Sequence, residues 1–395
     1  MSRGIHGERC DVRDIRDMRD MRDTRGPPVA SGALAALVQT VQANCDIADA
    51  RHAADLSLCI YLLQMREFYR WELDLPFGAA LPREDVGRWI AQREALWAEL
   101  EDRAFEPLPI GNLEFDPMHA HAVNAELAPL GLVYGAGLAS AGQPAFFLAQ
   151  LEQVQRRDDG LLLHLCGREH ARGLFAPPAA LLGGHTIVLR REALARWLWE
   201  KFEAFSLRRA EGGLAPASPA GAFQALADAW ALHDTQAFVA ALPCLVDELC
   251  ETLLLHELGE YRAGQALEPG WAALRLALEE RRTGLYVRAV RDHIADLEVT
   301  LPTLLERGAT TALHFWFANY EGVRKQMFPA LAEGYAAWRE GDAGRALLRA
   351  TQFGAAHFRE LAASVLALHE RFERCAGPAI ERLLTAPQAI CEWHR

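Results

Sequence analysis

The sequence predicts a mainly α protein: a helical bundle with a small antiparallel β insertion in its middle third. Three observations predict it. Apolar residues recur at three- and four-residue spacings over most of the chain, the period of a helix with one buried face. Glycines and short apolar runs bounded by turn residues concentrate between positions 130 and 190. Hydrophobic residues make up 51% of the 395 and charged residues 24%, a globular balance that leaves enough apolar surface for a large core.

The elements follow in order. Residues 11–25 read DVRDIRDMRDMRDTR, an Arg-Asp repeat of period three. Three is the period of neither helix nor strand, and few of these side chains are apolar, so 1–30 is expected to be a disordered tail. An interaction tail or a start site assigned too far upstream would each account for it. The N-terminal helical region is expected over 31–125. Ser31 can cap a helix entering ALAALVQTVQANCDIADA, and a second helix runs from about His52 to Leu73. Pro76 and Pro82 separate it from a third, near Glu84 to Arg103, bearing Trp89, Leu96, Trp97 and Leu100. Aromatic residues at these spacings read as core.

Residues 126–190 form the expected small β meander. GLVYGAGLASAGQP is followed by FFLAQLEQVQ, a turn at Asp159-Gly160, then LLLHLCG and later HTIVLR. Neither GxGxxG nor GxxxxGK[ST] occurs, so a nucleotide loop is disfavoured. The C-terminal helical domain spans 191–395. Helices are expected at 191–210, 221–241, 243–263, 271–282, 284–301, 310–340 and 342–375, with 212–221 a loop.

Net charge and cysteine usage narrow the function classes. A formal charge of −12 argues against a nucleic-acid backbone or an anionic membrane as partner, leaving a small molecule or another protein. No stretch approaches the ~20 apolar residues of a membrane helix, and the charged N-terminus has no signal-peptide core. The eight cysteines are scattered without a CxxC pair, and several sit in apolar helical runs, which fits reduced thiols in the cytoplasm. Only Lys201 and Lys325 are lysines. The arginine bias points to a GC-rich bacterial genome.

One helix concentrates ionisable residues among leucines. In PCLVDELCETLLLHELGEY (243–261), Pro243 suits the first turn. Glu260 lies roughly 40° around the helix from His256, and Glu257 about 100° from it. Leu245, Leu249 and Leu253 share that side, and Leu254, Leu255 and Leu258 cover much of the rest. An imidazole and carboxylates in such a place are costly unless paired or bound to a cation, and His and Glu at i,i+4 can ligate one metal ion. Two readings stay open: a metal site, or a buried network satisfied by arginines.

Further residues can complete a site. In TGLYVRAVRDHIADLEVTL, His293 shares a face with Tyr286, Val290 and Leu297, while Asp292 and Asp296 flank that stripe. His314 and Glu321, seven apart, are aligned on another helix. His357 and Glu360 read as part of a salt-bridged surface. His119 and His121 form an HxH in a loop-like segment.

The segment Leu254 to Glu260 resembles the metal-binding doublet of HD-type phosphohydrolases, a helical superfamily. That resemblance implies a first ligand at His233 and a distant carboxylate at Asp296, although the doublet here is His-Glu rather than His-Asp. The same residues resemble the zincin HExxH with Glu260 in place of the second His. This implies zinc on His256 and Glu260, with Glu257 activating water. The paired ExxH repeats of a ferritin-like di-iron site are absent, as is GxSxG. CIYLLQMREFYRWE (59–72) and LLHELGEYRAG (254–264) together resemble an uncharacterised bacterial family known only as a domain of unknown function.

The expected function is therefore a metal-dependent hydrolase acting on a phosphoester. His256, Glu260, His293 and Asp296 are the candidate ligands of a divalent ion (zinc, iron or manganese), and Glu257 is the candidate base. The alternative is a non-catalytic helical scaffold or regulatory protein with a buried polar network.

Overall fold

The structure, a computed structural model, describes residues 31–138, 143–157, 160–211, 215–278 and 280–392. The Arg-Asp repeat and the rest of 1–30 lie outside the described residues, as does Asp159 of the expected hairpin. The chain is mainly α with a substantial β component.

Helix α1 (Ser31–His52) buries Leu37, Val41, Cys45 and Ala48, a ridge at helical spacing. A short 3₁₀ turn at 53–55 and an extended Ser57 separate it from α2 (Leu58–Glu72), so the helix expected from His52 starts six residues later. Helix α3 (Arg83–Leu100) begins after Pro82. A hairpin of β1 (Leu108–Ile110) and β2 (Leu113–Phe115), turning through Gly111 at φ 62°, precedes α4 (Ala120–Leu127).

Strands β3 (Leu132–Leu138), β4 (Pro144–Arg156), β5 (Leu162–Arg172), β6 (Ala179–Leu182) and β7 (Thr186–Arg190) form one sheet in the order β3-β4-β5-β7-β6. β5 and β7 run parallel, with Leu163 opposite Ile187, while the other pairings are antiparallel. The expected small antiparallel insertion is corrected accordingly: the sheet is mixed, and it forms a layer between helices. Strand alternation sends Tyr134, Phe146 and Leu148 toward α1 and α4, and Val133, Phe147 and Ala149 to the opposite face. Leu163, Leu165, Ile187 and Leu189 join the main core with the helices that follow.

Those helices are α5 (Arg191–Glu211), α6 (Pro219–Ala229), α7 (Thr235–Leu267), α8 (Gly270–Ala277) and α9 (Arg281–Ala295). After a π-helical turn at Asp296–Thr300 come α10 (Leu301–Glu306), α11 (Thr310–Ala318), α12 (Gly322–Met327), α13 (Pro329–Arg339), α14 (Arg345–Phe372) and α15 (Gly377–Thr385). Several boundaries differ from expectation, and the helix expected over 221–241 breaks after Ala229 and resumes at Thr235 as the start of α7. Pro243 does not open a helix. It sits inside α7, whose true cap is Asp234, accepting from the Ala237 N–H at 2.8 Å. The helix expected over 310–340 is three helices, broken after Ala318 and at Pro329.

A layer of buried charge lies between α5 and the N-terminal half. Glu169 is buried against Arg190 and Arg196. Burial works against its ionised form, but those guanidinium groups outweigh it and bring the carboxyl down to about 2. Arg70 pairs with Glu67 at 3.1 Å, Trp199 of α5 donates to Glu67 at 3.2 Å, and Arg93 holds Asp46 at 2.9 Å. Nothing in the local sequence pattern marks this layer. These side chains alternate with apolar ones as they do on a solvated face.

Candidate metal centre

Helices α7 and α9 cross where α7 has no side chain. A methyl group on Gly259 would lie 2.5 Å from the Ala295 carbonyl oxygen, so the two backbones touch and only hydrogen fits between them. The crossing sets one turn of α7, bearing His256 and Glu260, opposite Asp292 and Asp296. Each pair is four residues apart and so shares a face. Asp296 opens the π turn, where the helical ladder loosens ahead of Pro302, which has no N–H to give. Gly259→Ala is expected to cost about 3 kcal/mol by overpacking. Thermal unfolding measures this, and an unchanged melting temperature would contradict the close approach.

The contacts form a chain. His256 Nδ1 lies 2.9 Å from Asp296 Oδ1, and the other oxygen of this fully buried carboxylate accepts from Arg324 at 2.7 Å. With Nδ1–H directed at Asp296, Nε2 of a neutral ring is left as an acceptor, 3.5 Å from Glu260 Oε1. Glu260 Oε2 is 3.3 Å from Arg291. Asp292 meets Arg288 at 3.7 Å through Oδ2, while its Oδ1 is buried without a partner. One atom from each of His256, Glu260 and Asp292 lies within 4.8 Å of the other two. Ligand bonds of about 2.0–2.2 Å place tetrahedral ligands about 3.4 Å apart, a spacing that His256 Nε2 and Glu260 Oε1 already approach at 3.5 Å.

Charge explains the titration behaviour. Burial disfavours an imidazolium at His256, but the charge and hydrogen bond of Asp296, then Glu260, outweigh it and hold the ring well above its usual range. Burial also opposes ionisation of Glu260 and Asp296. His256 and the arginines overcome it, keeping both carboxyls well below the usual range. Glu257, buried beside them, is pushed up to about 7 by burial and then by the Glu260 charge. Burial raises Asp292 as well.

Of the residues expected at the site, His256, Glu260, Glu257 and Asp296 are together and His293 is not. The His293 ring stacks on Phe358 with centroids 4.1 Å apart, and its Nε2 meets the Arg324 carbonyl at 3.0 Å. Burial and the Arg324 charge lower it to about 3, so it is a neutral ring that positions Arg324. His233 is exposed before the first turn of α7, about 34 Å along the helix from His256, so the HD-type arrangement is not assembled. His314 is bound to the Tyr335 hydroxyl at 2.7 Å, His357 to the Ala389 carbonyl at 3.1 Å, and His119 and His121 are exposed. Asp292, which flanks the His293 stripe in the sequence, was not among the expected ligands, and neither Arg291 nor Arg324 was expected at the site. Asp292 had a usable signal, since Asp292 and Asp296 repeat the four-residue spacing of His256 and Glu260.

Fold and cluster define a mainly α protein with a mixed sheet between helical layers and a buried knot of carboxylates, imidazole and guanidinium groups. Residues 36–190 match the N-terminal domain, and residues 195–387 the C-terminal domain, of a family of unknown function (DUF6866). The chain belongs to this family. The two matched segments meet at the junction of β7 and α5. No curated protein and no solved structure matches the chain.

Proposed function

We propose that the chain is a metal-dependent hydrolase, with one divalent cation (zinc, iron or manganese) at the α7–α9 crossing and a phosphoester as substrate. The observation that carries this reading is Asp292 Oδ1, buried without a partner beside His256 and Glu260. An unsatisfied buried acceptor costs about 1–3 kcal/mol, more when charged, and a cation removes that cost. His256 Nε2, Glu260 and Asp292 are the ligands in this reading. Asp296 orients His256 from behind, as carboxylates behind metal-bound imidazoles do. His293 acts one step further out, through Arg324.

Glu257 supplies the base. A carboxyl near 7 is balanced between its two forms at neutral pH, the condition for accepting a proton from water and returning it. A bound cation supplies Lewis acidity and lowers the pKa of its water. Arg288, with 39% of its side chain exposed, is the guanidinium open to a phosphate oxygen.

One observation favours a second reading, a non-catalytic scaffold or regulator: Glu260, Asp292 and Asp296 each already face an arginine. Metal analysis of protein purified without added metal or chelator separates the two. About one equivalent is expected. Less than about a tenth, with none taken up on soaking, overturns the metal reading. The proposal takes a small molecule as partner and sets nucleic acid aside on the −12 charge. It sets a membrane aside too, because no helix among the described residues is long and apolar enough to cross one. It places the chain in the cytoplasm, a reading supported by the free thiols of the described cysteines.

A further inference from the structure

Of the 41 lysines and arginines only Lys201 and Lys325 are lysines, and the fold brings both beside one carboxylate. Lys201, on α5, pairs with Glu321 at 3.2 Å. Glu321 immediately precedes α12 and stands one helical turn before Lys325. Glu321 and Lys325 both line a surface cleft of about 500 Å³, with Gln326 beside them and Ser218, Pro219 and Ala220 at the start of α6 opposite. That volume falls in the range of small-molecule sites, about 300–1,000 Å³.

The charges do not cancel. Lys201 neutralises Glu321, the carboxylate of the cleft lining. Lys325 has no ion pair among the described residues, so the cleft keeps one uncompensated ammonium. The Gln326 amide also lines it and can donate a hydrogen bond to an anion.

The residue type carries information too. The chain meets nearly every other need for a cation with arginine. An ammonium is a compact point charge that stays available to a ligand.

We infer that this cleft binds a small anion bearing a phosphate or carboxylate group, with Lys325 as its charged contact. The neighbouring residue, Arg324, holds Asp296 at 2.7 Å, so α12 joins the cleft to the candidate metal centre. Anion binding at Lys325 does not depend on a cation being present there.

With two lysines in the chain, amine labelling tests this directly. The full chain is treated with a trace acylating reagent, and modification of Lys325 and Lys201 is followed by peptide mass spectrometry. Inorganic phosphate, acetate and chloride are compared at matched ionic strength. At ten times Kd a site is about nine-tenths occupied, so Lys325 labelling is expected to fall about tenfold relative to chloride, and Lys201 labelling less than about twofold. Protection by phosphate alone assigns a phosphate ligand, and protection by acetate a carboxylate. Equal Lys325 labelling in all three salts up to about 50 mM, or equal protection of both lysines, overturns the inference.

Discussion

Chelation is expected to lower the melting temperature of the wild-type chain by about 5–10 °C and to leave His256→Ala almost unchanged. A ligand present at a hundred times its Kd stabilises the native state by about 2.7 kcal/mol, and each kcal/mol moves the midpoint of a domain this size by about 2–4 °C. The proton on His256 modulates the effect. Asp296 and Glu260 hold the ring well above its usual range, so a cation must displace that proton to reach Nε2. Uptake is therefore expected to strengthen as pH rises and to release protons into weak buffer. The network reading gives the reverse pattern: His256→Ala melts lower in plain buffer, and chelator does nothing to the wild type. Differential scanning of both proteins, with and without chelator, distinguishes the outcomes.

The sequence made part of this site legible, for a specific reason. His256 and Glu260 stood out because a charged pair at i,i+4 inside a leucine-rich helix is costly, and that cost is visible in one dimension. The four-residue spacing of Asp292 and Asp296 hinted at the aspartate, but nothing in one dimension decided between Asp292 and His293. They are adjacent, about 100° apart on one helix, and which of them meets α7 depends on the backbone contact at Gly259 and on the π turn that begins at Asp296. Neither feature has a periodic signature. The same limit applied to the sheet: alternation in HTIVLR marked a strand, but its parallel partner β5 is set by long-range packing. Pro243 misled because proline is common in the first helical turn, whereas Asp234 nine residues earlier holds the actual cap. Arginines and carboxylates such as Arg190, Arg196 and Glu169 read locally as a solvated surface. They become buried only when α5 closes over the sheet.

Asp296→Ala is expected to cost about 3–5 kcal/mol, because it leaves Arg324 and His256 without the buried carboxylate they share. Its pH dependence identifies the cause. The Asp296 carboxyl is held well below its unfolded value near 3.9, so its contribution is fully present above that pH and is lost as pH falls toward the folded value. His256 has the opposite sign. Its folded value is raised, so its contribution is full below about 6.5 and lost as pH rises through the higher folded value. Without a bound cation, wild-type stability should therefore peak between these limits; the variant should lose the Asp296 slope and keep only the part of the His256 slope that Glu260 supplies. Urea unfolding across the pH range measures the difference, and a loss below about 1 kcal/mol would mean that the two cations do not depend on Asp296. Both functional readings require this loss, but only one requires more. If Asp296 orients a metal-bearing imidazole, Asp296→Asn should weaken cation uptake about 10–100-fold even where the chain stays folded.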